Sequence, residues 1–135
     1  MATRSRIGLL LETGYVLSVY HHWDGYPEWL GVTLKEKFNT YEKIAELIDG
    51  GNMSSCYSDN VYDYEKQEYV KRDPQPEYYG GDDEQPRLDT TVEDYLANGE
   101  EYAYLFENNQ WVCYDLHYDT PMDVPIPQKS EEVAA

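Results

Sequence analysis

The chain has 135 residues and a formal net charge of −17, from 27 acidic and ten basic residues. Of these, 20 acidic and five basic residues lie in the segment 57–135, so the charge belongs almost entirely to the second part of the chain. Such a field repels nucleic-acid phosphates and attracts basic surfaces, which disfavours direct nucleic-acid binding. The length predicts one domain that can bury a core without metal or disulfide support.

The two cysteines and the N-terminus bear on the cellular compartment. Cys56 and Cys113 lack CxxC spacing, and we expect two reduced, partly buried thiols, although the sequence leaves a pairing between them open. No signal peptide is expected, because only a short apolar run precedes Glu12, and no run is long enough to span a membrane. We therefore expect a cytoplasmic protein without membrane association.

The first predicted element is a β-hairpin. The apolar run RIGLLLE (residues 6–12) is followed by a turn at Thr13-Gly14 and by YVLSVY (residues 15–20). Two runs of this length around a glycine-containing connection are typical of a hairpin.

Two helices are predicted next. Pro27 suits a first helical turn, Thr40 is a candidate N-cap for the second helix, and Gly50-Gly51 ends it. The apolar stripes of the two helices are Leu30, Leu34 and Phe38, and Ile44, Leu47 and Ile48.

The segment 57–89 lacks a clear hydrophobic period. Prolines and glycines punctuate it, and its acidic residues alternate with tyrosines. We predict a long acidic, tyrosine-rich loop or insertion, with at most a short irregular strand around residues 68–70. A loop of this length inside a compact domain is either functional or a disordered insertion.

Regular structure is expected again from Thr90. The pattern Thr90-x-x-Glu93 predicts a capping box for a short helix that ends at Asn98-Gly99. A second hairpin follows, with strands at 102–106 and 111–116 around an Asn-Asn turn. The tail, residues 119–135, is expected to lack regular structure.

The predicted order is β-β-α-α-loop-α-β-β, and segregated strands and helices indicate an α+β fold. Since one hairpin is too small to be stable alone, we expect both in one antiparallel sheet, with two to three helices covering one of its faces. The single domain would span residues 1–118.

The motif WDGYP (residues 23–27) lies between the first hairpin and the first helix. Its aromatic cluster, Trp23, Tyr26 and Trp29, could line a small-molecule pocket or a partner hot spot, or could close the end of the core. We expect the packing role, with Asp24 bonding backbone amides and Trp23 or Trp29 more than half buried.

The only candidate for catalysis is His21-His22-x-Asp24. A metal site there would need a third ligand, and His117 is the only other histidine. Because no metalloenzyme spacing and no phosphate-binding loop supports it, we predict no enzyme, no metal and no cofactor.

Four segments carry a resemblance to a known family. TRSRI (residues 3–7), SVYHHWDGYP (18–27), VEDYL (92–96) and EYAYLFENNQWV (101–112) resemble small, acidic, largely uncharacterised accessory proteins of tailed phages, cyanophages included. The resemblance covers about two-thirds of the chain and is weakest at residues 56–89. It implies a phage-encoded accessory protein that acts in the cytoplasm of an infected bacterium, and it transfers no catalytic residue.

The favoured function is an acidic interaction protein that occupies a basic host surface, as DNA-mimicking inhibitors of defence nucleases or of host transcription do. Its partner would be a nucleic-acid-binding protein, whose basic surface normally faces phosphates. A mimic of DNA must present many carboxylates along one face. The predicted acidic surface consists of Asp59, Asp63, Glu65, Glu68, Asp73, Glu77, Asp82, Asp83 and Glu84.

Three alternatives remain open. The aromatic cluster could bind a small molecule or sequester a nucleotide, with phosphate contacts from Arg4, Arg6, Arg72 or Arg87. The others are a metal-dependent enzyme that uses His21, His22 and Asp24, and a minor virion protein. The oligomeric state is not predicted.

Overall fold

The computed structural model describes residues 3–127, apart from the side chains of residues 58–62, 72 and 73. Its strands form one sheet in the order β4-β3-β2-β1-β6-β7-β8, with β5 also paired to β2. The strands are β1 (Ser5–Leu10), β2 (Val16–His21), β3 (Met53–Asp63), β4 (Glu68–Tyr78), β5 (Arg87–Asp89), β6 (Tyr102–Glu107), β7 (Gln110–Asp115) and β8 (Met122–Val124).

The helical elements are short. A π-helical turn (Pro27–Gly31) leads into α1 (Val32–Lys37), and α2 (Tyr41–Asp49), a 3-10 turn (Asp82–Glu84) and α3 (Val92–Leu96) follow. The predicted α+β class is confirmed.

Both predicted hairpins lie in the same sheet, but that sheet is mixed rather than antiparallel. The hairpins join through their first strands, β1 and β6, which run parallel with Ile7 beside Tyr104. Strands β2 and β3 also meet in parallel, at His21 and Met53. The antiparallel prediction was wrong because crossover connections through α1, α2 and α3 let strands from different hairpins run in the same direction.

Helices cover both faces of the sheet, so the prediction of one covered face was also wrong. On one face Ile7, Leu9 and Val19 pack with α1 and α2. On the other face Ala103 and Leu105 pack with α3. Adjacent residues of a strand point to opposite faces, and the near-continuous apolar runs of β1 and β6 are typical of strands buried on both sides.

The helix caps agree with the sequence patterns, with one shift. The Thr40 hydroxyl accepts a hydrogen bond from the Lys43 amide at 3.3 Å, and Gly51 takes a left-handed φ of 91° after α2. The N-cap of α3 is Thr91 rather than Thr90, since the Thr91 hydroxyl accepts from the Asp94 amide at 3.0 Å. The predicted capping box is thus displaced by one residue.

The predicted loop at 57–89 is largely a hairpin of two eleven-residue strands, β3 and β4. The loop prediction was wrong for two physical reasons. Three register shifts between Met53 and Asn60 break the regular alternation that a strand shows in sequence. Pro74 and Pro76 lie on β4, an edge strand, where the missing amide of proline is tolerated.

The predicted structureless tail begins with regular structure. Strand β8 pairs with β7, with Cys113 beside Val124, and Ile126 packs against the core. Local composition did not indicate strand β8 because this strand forms only by pairing with the free edge of β7. Residues 128–135 of that tail lie outside the described residues.

Tyr95 attaches α3 to the face of the sheet that this helix covers. Its side chain is fully buried, and its hydroxyl is 2.6 Å from the Tyr104 carbonyl oxygen and 3.1 Å from that of Arg6. The ring lies directly over Gly8, where an added Cβ would be 2.7 Å from the Tyr95 ring. Gly8 is therefore the residue that lets α3 approach β1.

Gly8→Ala is expected to lower the free energy of unfolding by about 1–3 kcal/mol, because the buried ring cannot move aside. The same substitution in a Tyr95→Leu background should cost less, since leucine vacates the space above Gly8. Urea unfolding of the four proteins of this double-mutant cycle measures the coupling. An equal cost in both backgrounds would show that the contact with Tyr95 is not the cause.

Candidate functional site

Six of the nine predicted acidic residues lie on the β3–β4 hairpin or its connecting turn. The side chains of Asp59 and Asp73 are outside the described part. Asp63 holds the turn, since its Oδ1 accepts from the amides of Glu65 at 2.9 Å and Lys66 at 3.2 Å. Three basic residues interrupt the acidic ones in this hairpin: Lys66, Lys71 and Arg72.

The other three predicted residues form the 3-10 turn Asp82–Glu84, which is tied to the base of the hairpin. The Glu84 carbonyl accepts from the Asn52 amide at 2.8 Å, and the Glu84 carboxylate accepts from the Asn52 side chain at 3.1 Å. The Asn52 side chain in turn accepts from the Tyr20 amide of β2 at 2.8 Å. Asp82 and Asp83 are exposed, so this anchored turn presents two carboxylates to solvent.

The acidic segment with the fewest basic residues follows the hairpin, and only Asp82, Asp83 and Glu84 of its acidic residues were among the predicted site residues. Residues 79–127 contain twelve acidic residues and a single basic one, Arg87. The charge of residues 57–135 includes this segment, but the predicted acidic surface ended at Glu84 because the tyrosines that alternate with acid lie mostly before it. These carboxylates are carried by the 3-10 turn, β5, α3, β6, β7, β8 and the segments between them.

His117 lies among part of this acid. Its Nδ1 is 2.6 Å from Asp115 Oδ1, and its Nε2 is 3.3 Å from Glu101 Oε1. The hydrogen bond to Asp115, followed by the one to Glu101, raises the pKa of His117. Its ring is therefore protonated more readily than that of an isolated histidine, and it is not the third ligand of a site with His21 and His22.

The two histidines of the HHWD segment have separate structural partners. His21 is buried, its Nε2 accepts from the Cys56 amide at 3.0 Å, and its Nδ1 is 3.4 Å from Ser5 Oγ. Burial, with a smaller contribution from His22, lowers the pKa of His21 to about 3. His22 Nδ1 is 2.6 Å from the Tyr20 hydroxyl. His21 therefore acts as a neutral link between β1, β2 and β3.

No three His, Cys, Asp or Glu side chains converge as a metal site within the part of the chain that the structure describes. Both cysteines are buried and free. Burial raises the pKa of Cys56, and it raises that of Cys113 to about 12. Neither thiol has the lowered pKa that a nucleophile needs.

Two of the four arginines proposed for phosphate binding, Arg6 and Arg87, have contacts within the fold. Arg6 is buried, and its guanidinium donates to Ser18 Oγ at 3.0 Å and to the Ser18 carbonyl at 3.2 Å. Burial, then the nearby Arg87 guanidinium, lowers the pKa of Arg6. Arg87 forms an ion pair with Asp89 at 3.2 Å. Arg4 is exposed, and the side chain of Arg72 is outside the described part.

The aromatic cluster lies mainly on the surface. Trp29 is 63% exposed and Trp23 is 47% exposed, so only Trp23 meets the expectation of being more than half buried. Tyr26 is half-buried. Trp29 and Tyr57 line a cavity of about 200 Å³ beside α1. Leu30, rather than Trp29, fills the core at this point.

The predicted role of Asp24 in the WDGYP turn was wrong. Asp24 makes no side-chain hydrogen bond to the described residues, and its own backbone takes a left-handed φ of 55°. The turn is held instead by Gly25, whose amide donates to the Thr3 carbonyl at 2.9 Å. The Gly25 carbonyl accepts from the Tyr104 hydroxyl at 2.7 Å.

A second cavity, of about 690 Å³, lies between α3 and the end of β7. It was not predicted, because the residues that form it are separated by about twenty positions in sequence and are joined only by the sheet. It is an open groove on the face opposite to α1 and α2. Its lining residues are Val92, Glu93, Leu96, Ala97, Gly99, Tyr114, Leu116, Tyr118, Asp119 and Pro121.

No protein-family model matches this chain, and neither a search of curated proteins nor one of solved structures finds a match. None of the described helices is long and apolar enough to cross a membrane.

Trp29→Ala is expected to lower the free energy of unfolding by less than about 1 kcal/mol, because an exposed side chain contributes little packing. The control is Leu34→Ala, at a fully buried position of α1, which should cost about 2–5 kcal/mol. Chemical denaturation of both variants makes the comparison. A loss of unfolding free energy for Trp29→Ala as large as that of the control would show that Trp29 is a core residue.

His21→Gln should reduce stability most at neutral pH, with the difference from the natural protein narrowing in acid. Because the pKa of His21 is lowered from 6.5 to about 3 in the fold, the unfolded chain binds the proton more tightly. The stabilisation by neutral His21 is therefore present above pH 6.5 and is lost as the pH falls towards 3. Denaturation midpoints across this window test it, and a difference that stays constant or widens in acid would contradict it.

Proposed function

We propose that the protein is an acidic interaction protein that binds a basic surface of a partner protein and has no catalytic activity. The observation that carries this proposal is the twelve-to-one excess of acidic over basic residues in the segment 79–127. That excess is borne by strands, helices and anchored turns. A surface of fixed carboxylates attracts basic proteins at long range and loses little entropy on binding.

The partner class follows from the same charge. Proteins with extended basic surfaces are mostly those that bind nucleic acids, whose phosphates present about one negative charge per 1.7 Å of duplex axis. An acidic protein that occupies such a surface competes with DNA or RNA. Together with the resemblance to phage accessory proteins, this favours a DNA-mimic-like inhibitor of a host defence nuclease or of host transcription, acting in the cytoplasm of an infected bacterium.

The exposed aromatic residues support an interaction rather than a small-molecule role. Trp29 and Tyr57 lie beside Glu28 and Glu36 around a shallow cavity. Lys37 lies over the Tyr57 ring at 5.8 Å from its centroid. Large, rigid aromatic side chains at a charged surface are typical anchors of protein interfaces.

The proposal predicts that partner binding is fast at low salt, weakens steeply as salt rises, and is competed by duplex DNA. Affinity capture from a bacterial lysate, with release by a salt gradient and by added DNA, tests this directly. We expect basic nucleic-acid-binding proteins in the released fraction. Recovery of acidic proteins only, or a complex insensitive to both salt and DNA, would refute the proposal.

With a captured partner, the variant Asp82→Asn/Asp83→Asn/Glu84→Gln should slow association by about threefold to tenfold and change dissociation less. The matched control is Glu12→Gln/Glu42→Gln/Glu46→Gln, which makes the same charge change in the first part of the chain. Surface plasmon resonance separates the two rates. Equal effects of the two variants would show that only net charge matters, and not the acidic turn.

A further inference from the structure

The groove between α3 and β7 combines an apolar floor with acidic edges. Val92 and Leu96 lie one turn apart on α3, so their side chains share one face of the helix. Tyr114 belongs to the end of β7, and Leu116 belongs to the segment after it. These four side chains are half-buried, and Tyr118 at the mouth is 62% exposed. The volume of about 690 Å³ lies within the range of about 300–1,000 Å³ that is usual for ligand sites.

The charged residues that line this groove are all acidic. Glu93 and Asp119 belong to its lining, which contains no lysine or arginine. Two further carboxylates, those of Glu107 and Asp123, lie close enough to Tyr114 to add to the effect of burial, which raises its pKa. An apolar surface of this kind with acidic edges is complementary to a ligand that is both apolar and cationic.

The described C-terminal chain does not fill the groove. Strand β8 runs beside β7 and leads to Ile126, which belongs to the core on the opposite face and lies against Gly31. Residues 128–135 contain two glutamates and one lysine, so their charge does not complement an acidic edge. The groove therefore lacks an occupant from the part of the chain that the structure describes.

We infer that this groove binds a basic amphipathic segment of a partner protein, with aliphatic side chains on one face and lysine or arginine on the other. The inference rests on the proposed function and specifies where a basic partner is held. An amphipathic helix places aliphatic residues at i, i+3, i+4 and i+7, a spacing that suits a groove between a helix and a strand. The lysine or arginine side chains of the bound segment then lie beside Glu93 and Asp119. Other basic regions of the partner face the other carboxylates of residues 79–127.

The probe is a labelled synthetic peptide of leucine and lysine, about five helical turns long, with leucines at amphipathic spacing. Its control is a scrambled peptide of the same composition, which keeps the charge and loses the apolar face. Fluorescence anisotropy should show that the amphipathic peptide binds at least about tenfold more tightly. NMR spectra of the natural protein should show the largest amide shifts at Leu96, Gly99 and Leu116. Equal binding of both peptides would overturn the inference.

Two variants test the site itself. Ala97 is exposed in the groove lining, so Ala97→Arg adds a cation without disturbing the core and should weaken the amphipathic peptide at least about tenfold. Glu93→Gln/Asp119→Asn should weaken it about threefold to tenfold, more at low salt. The matched control Glu65→Gln/Glu68→Gln makes the same charge change on the hairpin and should alter binding less than about twofold.

The outcomes separate this inference from the proposed function. If the hairpin variant weakens the peptide and the groove variants do not, the groove inference fails while binding to basic surfaces stands. Failure of both peptides to bind the natural protein at low salt would overturn the inference and count against the proposed function as well.

Discussion

The parallel pairing of β1 with β6 is the constraint on which the rest of the structure depends. These two strands join the hairpins into one sheet and are buried on both faces. Helices α1 and α2 bury the apolar side chains on one face of β1 and β6, and α3 buries those on the other face. Gly8 leaves room for the Tyr95 ring against β1, and the Tyr95 hydroxyl bonds backbone carbonyls of both strands. Helix α3, and with it the groove, is thereby positioned by the centre of the sheet.

The buried polar side chains of this sheet, Ser5, Arg6, Ser18 and His21, have hydrogen-bond partners. His21 is held neutral between two polar partners, and Arg6 donates two hydrogen bonds to Ser18. The same groups buried without hydrogen-bond partners would cost more. None of the Asp and Glu side chains that the structure describes is buried, so solvent and salt screen the repulsion among them.

The acid also has a structural consequence at the sheet edges. Strand β4 forms one edge, and its hairpin places Asp63 opposite Glu68 next to the turn. Like charges across a pair weaken the pairing slightly. Together with Pro74 and Pro76, however, they discourage a second chain from adding to the exposed edge.

The sequence by itself determined the local secondary-structure elements and the negative sign of the net charge. Apolar alternation, turn residues and caps predicted both short hairpins, the cap at Thr40 and the end of α2 at Gly50-Gly51, because these features depend on neighbours within a few positions. Composition likewise predicted a chain that favours basic partners.

Only the tertiary structure decided which strands pair, which faces are covered and which side chains are exposed. Three register shifts break the period of the β3–β4 hairpin, and β8 is a three-residue strand that forms along the edge of β7. Trp29 is exposed because Leu30 takes the core position, a choice that an aromatic-rich motif does not reveal. The groove exists because α3 and β7, about twenty residues apart, are held side by side by a sheet whose order the sequence did not disclose.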